Sequence, residues 1–109
     1  MTWQDFEKVD LRVGTILEVA DFPKAKKPSY QLLIDFGNEF GVKKSSAQIT
    51  KHYTKDELIG KQVICVTNFP LKQIANFFSE VLVTGFADEN GDIILATPDK
   101  MAPKAAKLC

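Results

Sequence analysis

The sequence predicts an all-β fold: a five-stranded barrel with a short N-terminal helix, a short helix between the third and fourth strands, and an extra C-terminal hairpin. Three observations predict it. The chain has 109 residues, 45% of them hydrophobic, which suits one compact domain with one core. Its apolar runs are short and separated by Gly, Pro, Asn and Asp clusters, the punctuation of strands and turns. The one internal helix with both ends marked falls after the third strand-like run. Aromatic residues reach 10%, more than a disordered chain carries.

The helix at the start is signalled by Thr2 as cap with Asp5 three residues on, and by Trp3, Phe6 and Val9 at helical spacing, ending near Asp10. A helix this short must dock on something, either a barrel end or a second copy. Leu11–Ala20 reads as a strand, with Leu11, Val13, Thr15, Leu17 and Val19 on one parity and Gly14 marking a bulge or bend. Asp21–Ser29 is a loop fixed by Pro23 and Pro28, with Lys24, Lys26 and Lys27 and no acid after Asp21. Tyr30–Phe36 is the second strand, Gly37-Asn38 a turn, and Phe40–Ile49 a third strand with a polar middle. Thr54 caps a short helix, Glu57 completes its capping box, and Gly60 supplies the left-handed end. Gln62–Asn68 is nearly all apolar, a strand buried on both faces. Phe69–Lys72 turns the chain, and Ile74–Phe78 forms a helical turn. Glu80–Ala87 is the fifth strand, and Asp88–Asp92 links it to a returning strand, Ile93–Thr97. Pro98 and Pro103 keep the tail irregular. Five short strands with a helix between the third and fourth follow the OB-fold order, and no linker or repeat divides residues 1–109.

The residue inventory limits the chemistry. One His (His52) and two distant Cys (Cys65, Cys109) make no metal-ligand spacing, and no nucleotide-binding or nucleophile-elbow motif occurs, so neither enzyme nor cofactor is expected. Cys65 reads as a small buried hydrophobe, Cys109 as a free terminal thiol and His52 as a surface or turn residue. No run spans a bilayer, and the N-terminus lacks the basic flank and apolar region of a secretion signal, which argues against secretion.

Fourteen basic and fourteen acidic residues cancel, which excludes a globally basic nucleic-acid binder but not a basic face. Between Phe40 and Lys55 the charges are Lys43, Lys44, Lys51 and Lys55; between Gln73 and Asp99 they are all acidic. One half of the barrel is therefore expected to be positive. Lys27 and Lys44 are candidate contacts for phosphate or acidic groups, with Ser46 and Gln48 on the parity of Lys44; Lys43 must point to the opposite face. Asn68, Phe69, Lys72 and Ser79 bracket the turn before the last barrel strand and are candidate cleft residues, Phe69 as the apolar anchor. Of Phe77 and Phe78 at most one is well buried, and Glu80 is expected to hold the neighbouring turn.

The run Asp5-Phe6-Glu7-Lys8-Val9-Asp10-Leu11-Arg12-Val13-Gly14-Thr15-Ile16 resembles the opening of the tRNA-binding domain family, found on methionyl- and phenylalanyl-tRNA synthetases and as free-standing proteins. The resemblance continues through Pro23–Lys27, Val63–Asn68 and Ser79-Glu80. Leu33–Gly37, Lys44–Lys51, Asn68–Pro70 and Ser79–Leu82 resemble the CsaA-type, export-related chaperone branch. The resemblance implies an OB-fold homodimer in the cytoplasm that binds unfolded preprotein, serves the export machinery and has capacity for tRNA. Lys27 and Ser79 fit the family's lysine and serine positions. Val81-Leu82 stand where tRNA-binding members carry Gly-Met, which moves the pocket toward apolar recognition and adds Leu82 to the candidates.

Overall fold

The computed structural model describes all 109 residues. Its elements are α1 (Trp3–Glu7), β1 (Leu11–Asp21), β2 (Tyr30–Asp35), α2 (Gly37–Phe40), β3 (Val42–Ala47), α3 (Lys55–Leu58), β4 (Gln62–Val66), β5 (Lys72–Ile74), β6 (Phe77–Ser79), β7 (Leu82–Val83), β8 (Gly85–Ala87) and β9 (Ile93–Leu95).

The main sheet runs β3-β2-β1-β4-β7, with every pairing antiparallel. β1 serves both halves: residues 11–15 pair with β4 and residues 15–21 with β2. The sheet closes where the Glu80 and Val81 N–H groups donate to the Lys44 carbonyl at 2.7 and 3.4 Å, giving a nearly closed OB-fold barrel. Both predicted capping boxes form, at Thr2/Asp5 and Thr54/Glu57. α3 sets Leu58, fully buried, into one core cluster with Ile34, Phe36, Val63 and Cys65.

Several elements differ from the sequence reading. α1 ends at Glu7 rather than near Asp10, and its apolar stripe is not buried: Trp3 and Val9 are exposed and Trp3 rests on Phe6, ring centroids 5.4 Å apart. The bulge of β1 lies between Ile16 and Glu18, not at Gly14. Gly14 and Ile16 face the core, and the bulge flips the parity so that Val19 rejoins it, leaving Leu17 exposed. A helical turn, α2, precedes β3, whose strand is shorter than Phe40–Ile49. Residues 72–79 form the β5–β6 hairpin, not a helical turn, because Phe77 turns onto Phe22 (5.5 Å) while Phe78 stays exposed. The expected fifth strand is split into β7 and β8, and β8 pairs with β9. The tail also pairs: Ala105 N–H donates to Val13 O (2.8 Å), Val13 N–H to Ala106 O (3.0 Å) and Leu108 N–H to Leu11 O (2.8 Å).

Candidate functional site

The N-terminal helix is fixed to the barrel by a polar node. Asn68 accepts from Asp10 N–H at 3.2 Å and donates to Lys8 O at 2.7 Å. Asp10 accepts from Arg12 Nε at 2.9 Å and from the Thr67 hydroxyl, and Arg12 lies 4.4 Å over the Phe40 ring. Burial alone raises the Asp10 pKa, but the hydrogen bonds from Arg12 and Thr67, with the charges of Arg12 and Lys107, hold it below the usual carboxylate range. Asn68 therefore spends its amide on the fold.

Beyond this node the chain enters a cleft of about 440 Å³ lined by Phe69, Pro70, Leu71, Lys72 and Ser79–Leu82. Its apolar walls are open to solvent: Phe69 is 56% exposed, Leu71 64% and Leu82 49%. Ser79 is buried in the opposite wall, where its hydroxyl donates to Val81 O (3.2 Å) and accepts from Ser46 N–H (3.3 Å). Glu80 accepts from Lys44 N–H at 2.9 Å. Ser79 and Glu80 thus stitch β3 to the segment entering β7 and shape the cleft floor, which agrees with the holding role expected of Glu80. A second depression, containing Lys43, Thr67, Asn68 and Phe69, adjoins the first.

Another cleft, about 420 Å³, lies on the other side of Lys72. It is lined by Lys24, Lys26, Lys27, Ser29, Ser46, Gln48, Lys72 and Gln73, with no acidic residue. None of its four lysines takes part in an ion pair. Free ammonium groups interleaved with hydroxyls and amides suit phosphate or carboxylate oxygens.

The structure thus brings Lys27, Ser46, Gln48 and Lys72 into one cleft, and Phe69, Lys72, Ser79 and Leu82 into the adjoining one. Lys44 stands apart, its ammonium 5.5 Å from the Phe77 ring centroid over a depression between β1, β2 and β3. Lys43 and Lys44, neighbours on β3 whose side chains alternate between faces, line different depressions. The stretch from Phe40 to Lys55 does not form one positive face, because these two lysines diverge and Lys55 is held by Asp21 at 2.8 Å. The lysine cleft draws instead on Lys24 and Lys26, whose signal was an acid-free loop after Asp21. Leu71 was missed as a cleft wall; its place beside Phe69 and Pro70 in a turn was the only sign. His52 bonds Asp88 at 2.7 Å, and this contact, with the N–H groups of Asp92 and Asn90, keeps the Asp88 carboxyl below its ordinary range. No group of three or more His, Cys, Asp or Glu is placed to hold a metal ion.

Two open clefts on the rim of a nearly closed barrel fit a binding module of the OB-fold class. A family model described as "Putative tRNA binding domain" matches residues 11–107. The crystal structure of the chaperone CsaA of Bacillus anthracis str. Ames superposes with a TM-score of 0.93 at 46% identity, over all of this chain and 98% of that one. The CsaA chaperone protein of Picrophilus torridus gives 0.92 at 55% identity, over 100% and 99%. The methionine–tRNA ligase of Pyrococcus horikoshii is 38% identical over 106 residues, which is 97% of this chain but 14% of that enzyme. The chain belongs to the tRNA-binding domain family, as a CsaA-type member.

Proposed function

We propose that this chain is a non-enzymatic, CsaA-like chaperone of the cytoplasm that holds unfolded preproteins for export. The observation that carries the reading is the exposed apolar wall formed by Phe69, Leu71 and Leu82. Leaving three large side chains about half exposed forgoes about 1–1.5 kcal/mol of burial each, which a client side chain that covers them can recover. Holding needs no nucleotide: an extended chain settles into the cleft and leaves by diffusion. Two copies joined through the exposed Trp3 face of α1 double the clefts and raise apparent affinity by effective concentration.

Replacing Phe69 by Ala is expected to weaken binding of a reduced, unfolded polypeptide about tenfold or more, as truncation of a central aromatic anchor does. Fluorescence anisotropy measures it, with circular dichroism confirming an intact barrel. Unchanged affinity in a folded variant overturns the reading.

A second reading, a free-standing tRNA-binding protein, is favoured by the lysine cleft with its unpaired charges. Filter binding of tRNA at two salt concentrations separates the two. Steep loss with salt marks phosphate neutralisation, whereas polypeptide binding driven by apolar contact survives.

A further inference from the structure

The apolar cleft and the lysine cleft are not independent. Lys72, the first residue of β5, lines both: the turn before β5, residues 69–71, walls the first, and β5 with Ala75 walls the second. Within its sheet β5 pairs only with β6, so its other edge is open. Such an edge accepts an extended peptide as an added strand, with backbone bonds giving affinity and flanking pockets giving selectivity.

The chemistry of the flanks is unequal. One side offers Phe69, Leu71 and Leu82; the other offers Lys24, Lys26, Lys27 and Lys72, with no carboxylate among them and no internal ion pair to neutralise them. A basic segment is repelled there, and a neutral one leaves the charges unused. The midpoints of the two walls are three residues apart along the chain, which is at most about 10 Å even if that stretch were fully extended.

We propose that the two clefts form one composite site for an extended polypeptide segment that pairs with the free edge of β5 and carries a large apolar side chain with carboxylates about three residues away. This rests on the polypeptide-holding reading and goes beyond it, because it assigns the site a preference among unfolded chains: segments joining apolar and acidic residues, not apolar and basic ones. Lys72, at the junction, meets the first carboxylate.

The test uses the full chain and labelled peptides of about a dozen residues in a Gly/Ser/Thr background, with adjacent Leu and Phe and, about three residues on in either direction, two Glu. A second peptide has Lys in place of Glu, and a third places the Glu pair next to the Leu. Anisotropy is expected to show the correctly spaced Glu peptide binding about tenfold tighter than either, a difference of roughly 1.4 kcal/mol. The double variant Lys27→Glu/Lys72→Glu, folded by circular dichroism, is expected to reverse the Glu-over-Lys preference. Equal affinities for the Glu and Lys peptides, or a preference that persists in the double variant, overturn the proposal and leave the holding reading standing. Failure of every peptide to bind overturns both. Saturating tRNA that fills the lysine cleft without displacing the Glu peptide also overturns the composite site.

Discussion

Gly14 shows how one atom constrains the barrel. It lies in β1 beneath Ile34 and Phe36, and a Cβ built there falls 2.5 Å from Ile34 Cγ2 and 2.9 Å from the Phe36 ring. Both neighbours are almost fully buried and have no room to retreat. Gly14→Ala is therefore expected to destabilise the fold by about 1–3 kcal/mol, the usual cost of overpacking, read as a lower urea midpoint. A glycine inside a strand pattern signalled something special, but periodicity alone did not distinguish a bulge from a close approach, since both remove the need for a side chain. Cys65 was legible, being apolar company in an apolar strand. Burial pushes its thiol up to about 12, so almost no thiolate exists near neutrality. A thiol reagent at about pH 8 is expected to titrate only the exposed Cys109 in the folded protein, and both cysteines after denaturation.

At the scale of elements, the β5–β6 hairpin is where sequence reasoning failed, and it forms the shared wall of the candidate site. Ile74–Phe78 lacks the glycine that normally announces a hairpin, and its apolar ends fit a helical turn equally well. The turn is made instead by Ala75 at a φ of +53°, left-handed backbone that costs an L-residue about 1–2 kcal/mol. Ala75→Gly removes that cost and adds some unfolded-chain entropy, so a net gain of up to about 1 kcal/mol in denaturant unfolding is expected. The capping boxes of α1 and α3 were legible because capping is local chemistry. The joints between elements were not, because their partners are remote. Lys104, for instance, bonds Asp35 at 2.6 Å across 69 residues of sequence and, with the Gly37 N–H, holds that carboxyl below its ordinary 3.8. Asp10 and Asp88 are lowered too. A carboxyl whose folded pKa lies below its unfolded value stabilises fully above the unfolded value and loses that contribution as pH falls through the folded one. Thermal melts are expected to be flat from neutrality to about pH 5 and to fall below about pH 4, with a shallower acid limb in Asp35→Asn.

Over the whole molecule, zero net charge provides no general attraction to nucleic acid, so any salt-dependent RNA binding must come from a local cluster. Counting charges along the chain pointed to the stretch around β3, and the barrel dispersed it: a strand sends Lys43 and Lys44 to opposite faces, and Asp21 holds Lys55. The lysines that do converge come from two distant segments, the loop after β1 and the start of β5, brought together by the closure of β3 against the Ser79–Val81 segment. Four unpaired ammonium groups set the magnitude of the effect. If all four neutralise phosphates, the logarithm of the tRNA association constant is expected to fall with the logarithm of salt with a slope of about −3 to −4. Lys27→Ala should make that slope shallower by about one unit, whereas Lys55→Ala, which removes a lysine already held by Asp21, should leave it nearly unchanged. The pair of variants distinguishes a built cleft from diffuse surface charge, because diffuse charge responds equally to the loss of either lysine.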